Sequence, residues 1–525
     1  MAAMRKQNAI GSAWLGALTW DEAEPLLEAL PVVIPVGGAA VEHGPHLPYD
    51  TDRVIVCALA DAAAERVPVL VAPPVDYVYA PEVAGQGGTI SLGPDSFLGL
   101  LGDVIRSLAR HGARRFLLIE RGPGLLASLN ILSRELHQEL DITVAVASAE
   151  GLAHGARATL VERPVGEHAG EVETSLMLAL APERVHMERA VAPIPAPRPA
   201  GTETGLREPI VILPGGGQAI YGDPRAATAE KGRALFDAMV GELVAHLMET
   251  ATVWTTPAQA GPPEDVPAPA AYAFPEDGPG VLLGNLTSEE WPEAAVRCPV
   301  AVLPMGAASK EHGLHLPNQT DLLTAEALAA AVAGRLPVLT LPPLGYGYYP
   351  AFVDWPGSMS LSPATYRAVV GDILACLAGA GFRKILLLDT GLSTRPVLEI
   401  AAREAMRVWG VQVALTTTEL GREAAAELFA GEGTHANEDE TALMLAIAPE
   451  QVDLSRAVRE SRPSTVLSRR DPFAPPAFIQ GGKMRSATGV FGDPTRATAE
   501  NGRAYFDAKV ADLLRFLEDF IALEV

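Results

Sequence analysis

PVVIPVGGAAVEHGPHLPYDTD, from Pro31 to Asp52, and PVAVLPMGAASKEHGLHLPNQTD, from Pro299 to Asp321, are two versions of one passage. Each opens with a short, β-branched-rich apolar run, as buried parallel strands do. Each then turns at glycine, carries Glu-His-Gly, and ends on Thr-Asp before a helical pattern, DRVIVCALADAAAERV or DLLTAEALAAAVAGRL. The acid, Asp52 or Asp321, falls near the helix start, where a negative charge suits the positive end of the helix dipole.

Working outward, the correspondence continues. GGTISL at Gly87 meets PGSMSL at Pro356, and RRFLLIE, ending at Glu120, meets RKILLLD, ending at Asp389. EHAGEVETSLMLALAPERV meets THANEDETALMLAIAPEQV, and YGDPRAATAEKGRALFDA meets FGDPTRATAENGRAYFDA. The offset stays close to 269 throughout. This is a whole-domain duplication, not a short solenoid repeat. VPVLVAPPV and ITVAVASAE, with their counterparts, supply further strands, and SFLGLLGDVIRSLARHG and TYRAVVGDILACLAGAG supply amphipathic helices stopped by glycine. Strands alternating with helices predict two tandem three-layer αβα domains, each with a mostly parallel sheet. The expected limits are 1–252 and 283–525. Residues 253–282 between them are rich in Pro and Ala and read as a semi-rigid linker.

The bulk properties agree. A chain of 525 residues exceeds what one hydrophobic core fills. An apolar fraction of 48% with 20% charged residues is that of a globular protein. The net charge of -24 argues against nucleic-acid or anionic-membrane partners. Cys57, Cys298 and Cys376 are too scattered for a disulfide framework or zinc knuckle. The amino terminus shows no signal-peptide pattern, and no run of about 18 uncharged apolar residues exists. The expected location is cytoplasmic.

The chemistry concentrates in two segments of each copy. The first offers Glu42, His43, His46 and Asp52, matched by Glu311, His312, His315 and Asp321. The second offers His168, Glu171 and Glu173, matched by His435, Glu438 and Glu440. Of the 11 histidines, six fall at corresponding positions, which scattered structural histidines would not do. Imidazoles and carboxylates together are ordinary ligands for Zn²⁺ or Mn²⁺. In an open parallel sheet such a site belongs beyond the carboxyl ends of the strands, where the EHG segments, Glu120 and Asp389 fall.

Four ordered motifs, HGPHLPYDTD, GTISL, HAGEVETS and GDPRAATAEKGR, resemble the creatininase (creatinine amidohydrolase) family. The resemblance covers both copies. It implies an αβα fold with one or two divalent ions, Zn²⁺ or Mn²⁺ with iron occurring, at the strand ends, and hydrolysis of amide-type C–N bonds in small, often cyclic, molecules. It assigns His43, Asp52, His312 and Asp321 as ligands, with Asp52 as a bridging carboxylate. Glu171 and Glu438 match an acid expected to bind metal, and His168 and His435 match a ligand or proton shuttle. It also implies a homo-oligomer, which for a tandem chain would be a trimer built as a pseudo-hexamer.

Two departures from the family pattern stand out. The family's ligand Glu lies two residues before His, where this chain has Val41 and Lys310, while Glu42 and Glu311 directly precede the histidine. With a bulge they would still reach metal; without one, neighbouring side chains point apart. The family's N-G-H-G-G-N loop is replaced by E-R-G-P-G-L from Glu120 and D-T-G-L-S-T from Asp389. These acids either supply the missing ligand or hydrogen-bond loop amides.

The expected function is therefore metal-dependent amide hydrolysis. The alternatives are a metal-dependent lyase, isomerase or carbon–carbon hydrolase acting on a sugar or cyclitol, or one catalytic copy beside a scaffold copy. Gly88, Thr89 and Tyr79, and Gly357, Ser358, Tyr348 and Trp355, are the expected substrate-pocket residues.

Overall fold

The computed structural model describes residues 12–122, 125–162, 168–191, 220, 222–252, 278–416, 420–429, 433–460 and 486–524. Most of the Pro/Ala-rich segment, 253–277, lies outside the described residues. The amino-terminal copy has strands β1 (Ala13–Trp14), β2 (Val32–Gly37), β3 (Leu70–Val71), β4 (Arg115–Arg121) and β5 (Thr143–Ser148). Its helices are α1 (Trp20–Ala29), α2 (Thr51–Ala64), α3 (Pro94–Arg110), α4 (Leu125–Leu140), α5 (His154–Leu160), α6 (Glu171–Leu180) and α7 (Ala229–Thr252). The carboxy-terminal copy repeats the plan. Its strands are β6 (Val281–Leu282), β7 (Val300–Met305), β8 (Val338–Thr340), β9 (Lys384–Asp389) and β10 (Gln412–Leu415). Its helices are α8 (Trp291–Arg297), α9 (Thr320–Ala333), α10 (Pro363–Gly379), α11 (Arg395–Trp409), α12 (Arg422–Leu428), α13 (Glu438–Ile447) and α14 (Ala499–Ala522).

The two sheets run β1-β3-β2-β4-β5 and β6-β8-β7-β9-β10, and every pairing in them is parallel. A separate antiparallel pair, β11 (Gly433–His435) with β12 (Phe491–Gly492), occurs in the second copy. Strand β2 lies between β3 and β4, so its chain leaves toward one side while β4 adds on the other. That reversal opens a crevice at the carboxyl ends. There Val36 and Gly37 register with Glu120 and Arg121, and Pro304 and Met305 with Leu388 and Asp389.

Side-chain alternation along the strands fills two layers. Val33, Leu117 and Ile119 join Ile55 and Leu59 of α2, Leu176 of α6 and Leu235, Met239 and Leu243 of α7. Ile34, Val36 and Leu118 face the other way, onto Phe97, Leu101 and Ile105 of α3 and Leu129 and Leu136 of α4. This second layer does not stop at the copy boundary. It continues into Tyr366, Val369 and Ile373 of α10 and Leu398 of α11, so the two copies share one apolar core.

The copies also brace each other's site loops. The Tyr49 and Asp50 amides donate to Leu286 and Gly284, and the Asn318 and Gln319 amides donate to Leu18 and Gly16. Tyr346 donates to the Pro73 carbonyl and Tyr77 to that of Pro342. Asp372 accepts from the Gly93 amide and Asp103 from the Ser362 amide, both at 2.7 Å.

Gly232 and Gly502 set how closely the last helix of each copy lies on the metal-segment helix. A Cβ at either would fall 1.8 Å from the Ser175 or Ala442 carbonyl oxygen, both backbone atoms of α6 and α13. Gly502→Ala is therefore expected to separate α13 from α14 and to lower stability by about 1–3 kcal/mol. A thermal melt checks this.

Candidate metal centre

In the first copy, β2 ends at Gly37 and its following loop carries Glu42, His43 and His46 to the start of α2, where Asp52 sits in the first turn. The chain enters α6 through Ala169 at φ +53 and α13 through Ala436 at φ +46, left-handed conformations that cost an alanine roughly 1–2 kcal/mol. This turn sets His168 and His435 beside the helices instead of on them.

His43 Nδ1 lies 2.7 Å from the Val41 carbonyl, to which it can only donate, so Nε2 presents its lone pair to the site. That atom is 3.1 Å from Asp52 Oδ1 and 3.9 Å from Glu173 Oε1. Three acceptors facing one another require a proton or a cation between them. In the protein without metal the proton does this: burial opposes the charge, but Asp52 and Glu173 outweigh it and raise the His43 pKa to about 9. A divalent ion would satisfy the same atoms. The His43 and His168 rings lie 4.6 Å apart, and ligand atoms of His43, His168 and Glu173 fall within 4.8 Å of one another, a grouping that could hold a metal. His168 Nε2 is tied to the Glu42 carbonyl at 2.6 Å, and burial followed by the nearby His43 lowers its pKa.

The second copy repeats the arrangement. His312 Nδ1 meets the Lys310 carbonyl at 2.8 Å and its Nε2 meets Asp321 Oδ1 at 3.1 Å. His312, His435 and Glu440 form the second grouping that could hold a metal. Here His435 Nε2 lies 2.9 Å from the Glu311 carbonyl and 3.1 Å from its Oε2. Burial opposes the charge on His435, and Glu311 overcomes it, raising its pKa.

The structure brings His43, Asp52 and His168 together, and His312, Asp321 and His435. The acid that joins them is Glu173 or Glu440. Glu171 is instead buried against Lys231 Nζ at 2.7 Å and the Glu162 amide at 3.0 Å, and Glu438 has Arg496 Nε at 4.0 Å. His168 and Glu171 do not share a helix face, because α6 begins only at Glu171 and the turn at Ala169 and Gly170 separates them. Lys231→Met is expected to take the ammonium away from the buried Glu171 carboxylate, costing about 3 kcal/mol in stability while metal content stays unchanged. A melt paired with elemental analysis checks both halves.

Glu42 and Glu311 fold back onto their own loop, accepting from the Gly44 amide at 2.8 Å and the Gly313 amide. Neither joins the His–His–Glu grouping, although Glu311 Oε2 touches His435. Asp389 accepts from Thr394 Oγ1 at 2.6 Å and from the Gly391 amide at 3.3 Å, the loop-anchoring arrangement. Burial raises both Glu120 and Asp389 to about 7. His46 and His315 pack behind the site, each with Nε2 on a threonine hydroxyl, Thr174 or Thr441, and burial lowers each to about 4.

The residues expected to contact substrate hold the loops. Thr89 Oγ1 accepts from the Glu42 amide and Ser358 Oγ from that of Glu311. Gly88, at φ +85, abuts the Tyr49 ring, and Gly357 takes φ +80. Tyr79 and Tyr348 are half-buried against the shared core. Trp355 is fully buried, edge-on to Trp20 of the other copy at 4.9 Å.

Sequence reasoning missed two cations. Arg121 Nε lies 3.3 Å from Asp52 Oδ1, and its Nη2 pairs with Glu173. Lys310 Nζ lies 2.6 Å from Asp321 Oδ2, over the Phe352 ring at 4.7 Å and near that of Tyr349 at 5.5 Å. The only sequence signal was that each stands where its counterpart in the other copy is uncharged, Thr390 and Val41.

The creatininase family model, described as creatinine amidohydrolase, matches residues 16–247 and 284–517. The chain is 34% identical over 207 residues to a creatinine amidohydrolase of Pseudomonas putida, covering 36% of this chain and 79% of that protein. It is 35% identical over 224 residues to a mycofactocin precursor peptide peptidase of Mycobacterium tuberculosis, covering 41% and 82%. A 3-dehydro-scyllo-inosose hydrolase of Thermotoga maritima is 29% identical over 168 residues, covering 30% and 53%. A manganese creatininase structure is 29% identical, covering 46% of this chain and 98% of its own, with a TM-score of 0.40. Among the described residues no helix is long and apolar enough to cross a membrane. The chain belongs to the creatininase family and carries that domain twice in tandem.

Proposed function

We propose that each copy binds one divalent ion, Mn²⁺ or Zn²⁺, and hydrolyses an amide-type C–N bond of a small molecule or short peptide. The observation that carries this reading is the convergence, twice, of two imidazoles and a carboxylate beside a buried aspartate at the strand ends. His43, His168 and Glu173 would hold the ion in the first copy, and His312, His435 and Glu440 in the second. The ion would supply an activated water and polarise the scissile carbonyl.

The chain's own groups would do the remaining work. The Val41 and Lys310 carbonyls orient the His43 and His312 imidazoles through Nδ1, leaving Nε2 for the ion, with Asp52 and Asp321 at 3.1 Å from it. Glu311, whose Oε2 lies 3.1 Å from His435 Nε2, is the carboxylate placed to take a proton from the attacking water and return it to a leaving nitrogen. In the first copy the corresponding acid, Glu42, keeps Oε2 buried without a hydrogen-bond partner among the described residues. The buried setting of His43, Glu173 and His312 suits a small molecule or a chain end. The relatives named above support both substrate sizes.

The test is hydrolysis of creatinine, short peptides and cyclic keto-polyols by protein equilibrated with Mn²⁺ or Zn²⁺, before and after chelation. The expected result is amide turnover that chelation abolishes and metal restores. Turnover of the cyclic ketones with no amide cleaved would replace amide hydrolysis by ring opening. Absence of bound metal would overturn the reading altogether.

A further inference from the structure

Among the described residues each site contains one side-chain cation, and the two cations come from different places in the fold. In the first copy it is Arg121, the last residue of β4. In the second it is Lys310, in the loop after β7. The positions are not equivalent: the counterpart of Arg121 is Thr390, and the counterpart of Lys310 is Val41. The duplicated domain has therefore kept one cation per site while changing the element that supplies it. Thr390 is spent on backbone, donating to the Met305 and Asp321 carbonyls, and Val41 is packed in the apolar core.

The two cations reach corresponding carboxylates. Arg121 Nε lies 3.3 Å from Asp52, and Lys310 Nζ 2.6 Å from Asp321. Arg121 also binds Glu173. Arg121 is only 1% exposed, and its Nη1 has no hydrogen-bond partner among the described residues. Burying a guanidinium is costly unless carboxylates hold it, so its place between two of them is specified. A second divalent ion on Asp52 would sit against this fixed positive charge at close range in a low-dielectric setting, where repulsion is strongest.

Resting on the proposed metal-binding reading, we propose that Arg121 and Lys310 are resident cations that hold Asp52 and Asp321 in place of a second ion, so that each copy is a one-ion site. The remaining face of each cation is then available to an anionic oxygen of the substrate. The Nη1 of Arg121, without a hydrogen-bond partner among the described residues, points to a carboxylate oxygen as that group.

The experiment counts metal per chain by elemental analysis after equilibration with Mn²⁺ and removal of free ion. It compares the parent with Arg121→Thr and Lys310→Val, each taking the residue of the other copy, and with the relocation variant Val41→Lys/Arg121→Thr. Each single variant is expected to hold one more ion per chain than the parent, and the relocation variant to return to the parent's count. The relocation variant restores a cation, so it also stands in should Arg121→Thr not fold. Relocation failing to restore the count, or folded single variants holding no more metal than the parent, would overturn the inference while leaving a metal hydrolase standing. A parent that already binds two ions per copy would do the same. A parent without metal would overturn the one-ion count together with the hydrolase reading.

Discussion

Glu173→Gln is expected to strip the ion from the amino-terminal copy and to destabilise the protein by about 3–5 kcal/mol, whereas Glu440→Gln should remove the other ion at a much smaller cost. The two residues are counterparts, and the difference lies in what they neutralise. The Glu173 carboxylate is 3% exposed and is bound by Arg121, by the Ala169 amide and, at 3.9 Å, by His43. Replacing it with an amide leaves a buried guanidinium facing one carboxylate, Asp52, instead of two. The Glu440 side chain is 28% exposed, accepts from the Ala436 amide at 2.5 Å, and has His435 Nδ1 at 3.6 Å. Water can take over much of what it does.

The pH dependence follows with its sign. Burial alone would raise the pKa of Glu173, but Arg121, His43 and His168 outweigh it and hold it down to about 2. A depressed carboxylate stabilises the fold above its unfolded value and loses that stabilisation as pH falls through its folded value. The stability gap between parent and Glu173→Gln should thus be full above about pH 4.5 and narrow toward pH 2. Calorimetry with metal analysis checks both claims. Equal losses in Glu173→Gln and Glu440→Gln would mean that Arg121 does not depend on Glu173 for its charge balance.

The elements that the sequence made legible are those with long periodic signals or internal duplicates. The EHG-to-TD passage announced a strand, a ligand loop and a helix start, and β2, α2 and their counterparts take those places. VPVLVAPPV and LPVLTLPPL read as full strands, yet β3 and β8 run only two and three residues, because the prolines that follow have no N–H to extend a ladder. β1 was too short for any periodicity to show. The acids of the site were legible as a set but not by position. The family motif points to Glu171, and it is Glu173 that the turn before α6 brings into the grouping with His43 and His168. Trp355 reads as a pocket residue within its own copy, and it is buried because Trp20 of the other copy lies against it. No motif singles out Arg121, and Lys310 reads only as the residue standing where the family has a ligand Glu, because the roles of both depend on which way a strand end and a loop turn their side chains. No local propensity encodes that.

Asp389→Asn is expected to raise stability at pH 8 by roughly 2–4 kcal/mol in chelated protein and to leave metal binding by the second copy intact. Burial raises Asp389 to about 7, against the hydrogen bonds from Thr394 and Gly391 that favour its charge. In the unfolded chain its pKa is near 3.8. A folded-state pKa above the unfolded one means that the native protein holds the proton more tightly. Its stability is greatest below about pH 4, falls between pH 4 and 7, and stays lowered above 7, where the charge must be carried in the buried site. The shift of roughly 3 units sets a ceiling near 4 kcal/mol. Asparagine keeps an acceptor for Thr394 while removing the charge, so the variant should flatten the profile between pH 4 and 7 and gain most at the alkaline end. The same variant separates the two roles open to this acid. A residue that anchors the loop through Thr394 can lose its charge without loss of the ion, whereas a ligand cannot, and a fall in second-copy metal content would place Asp389 among the ligands.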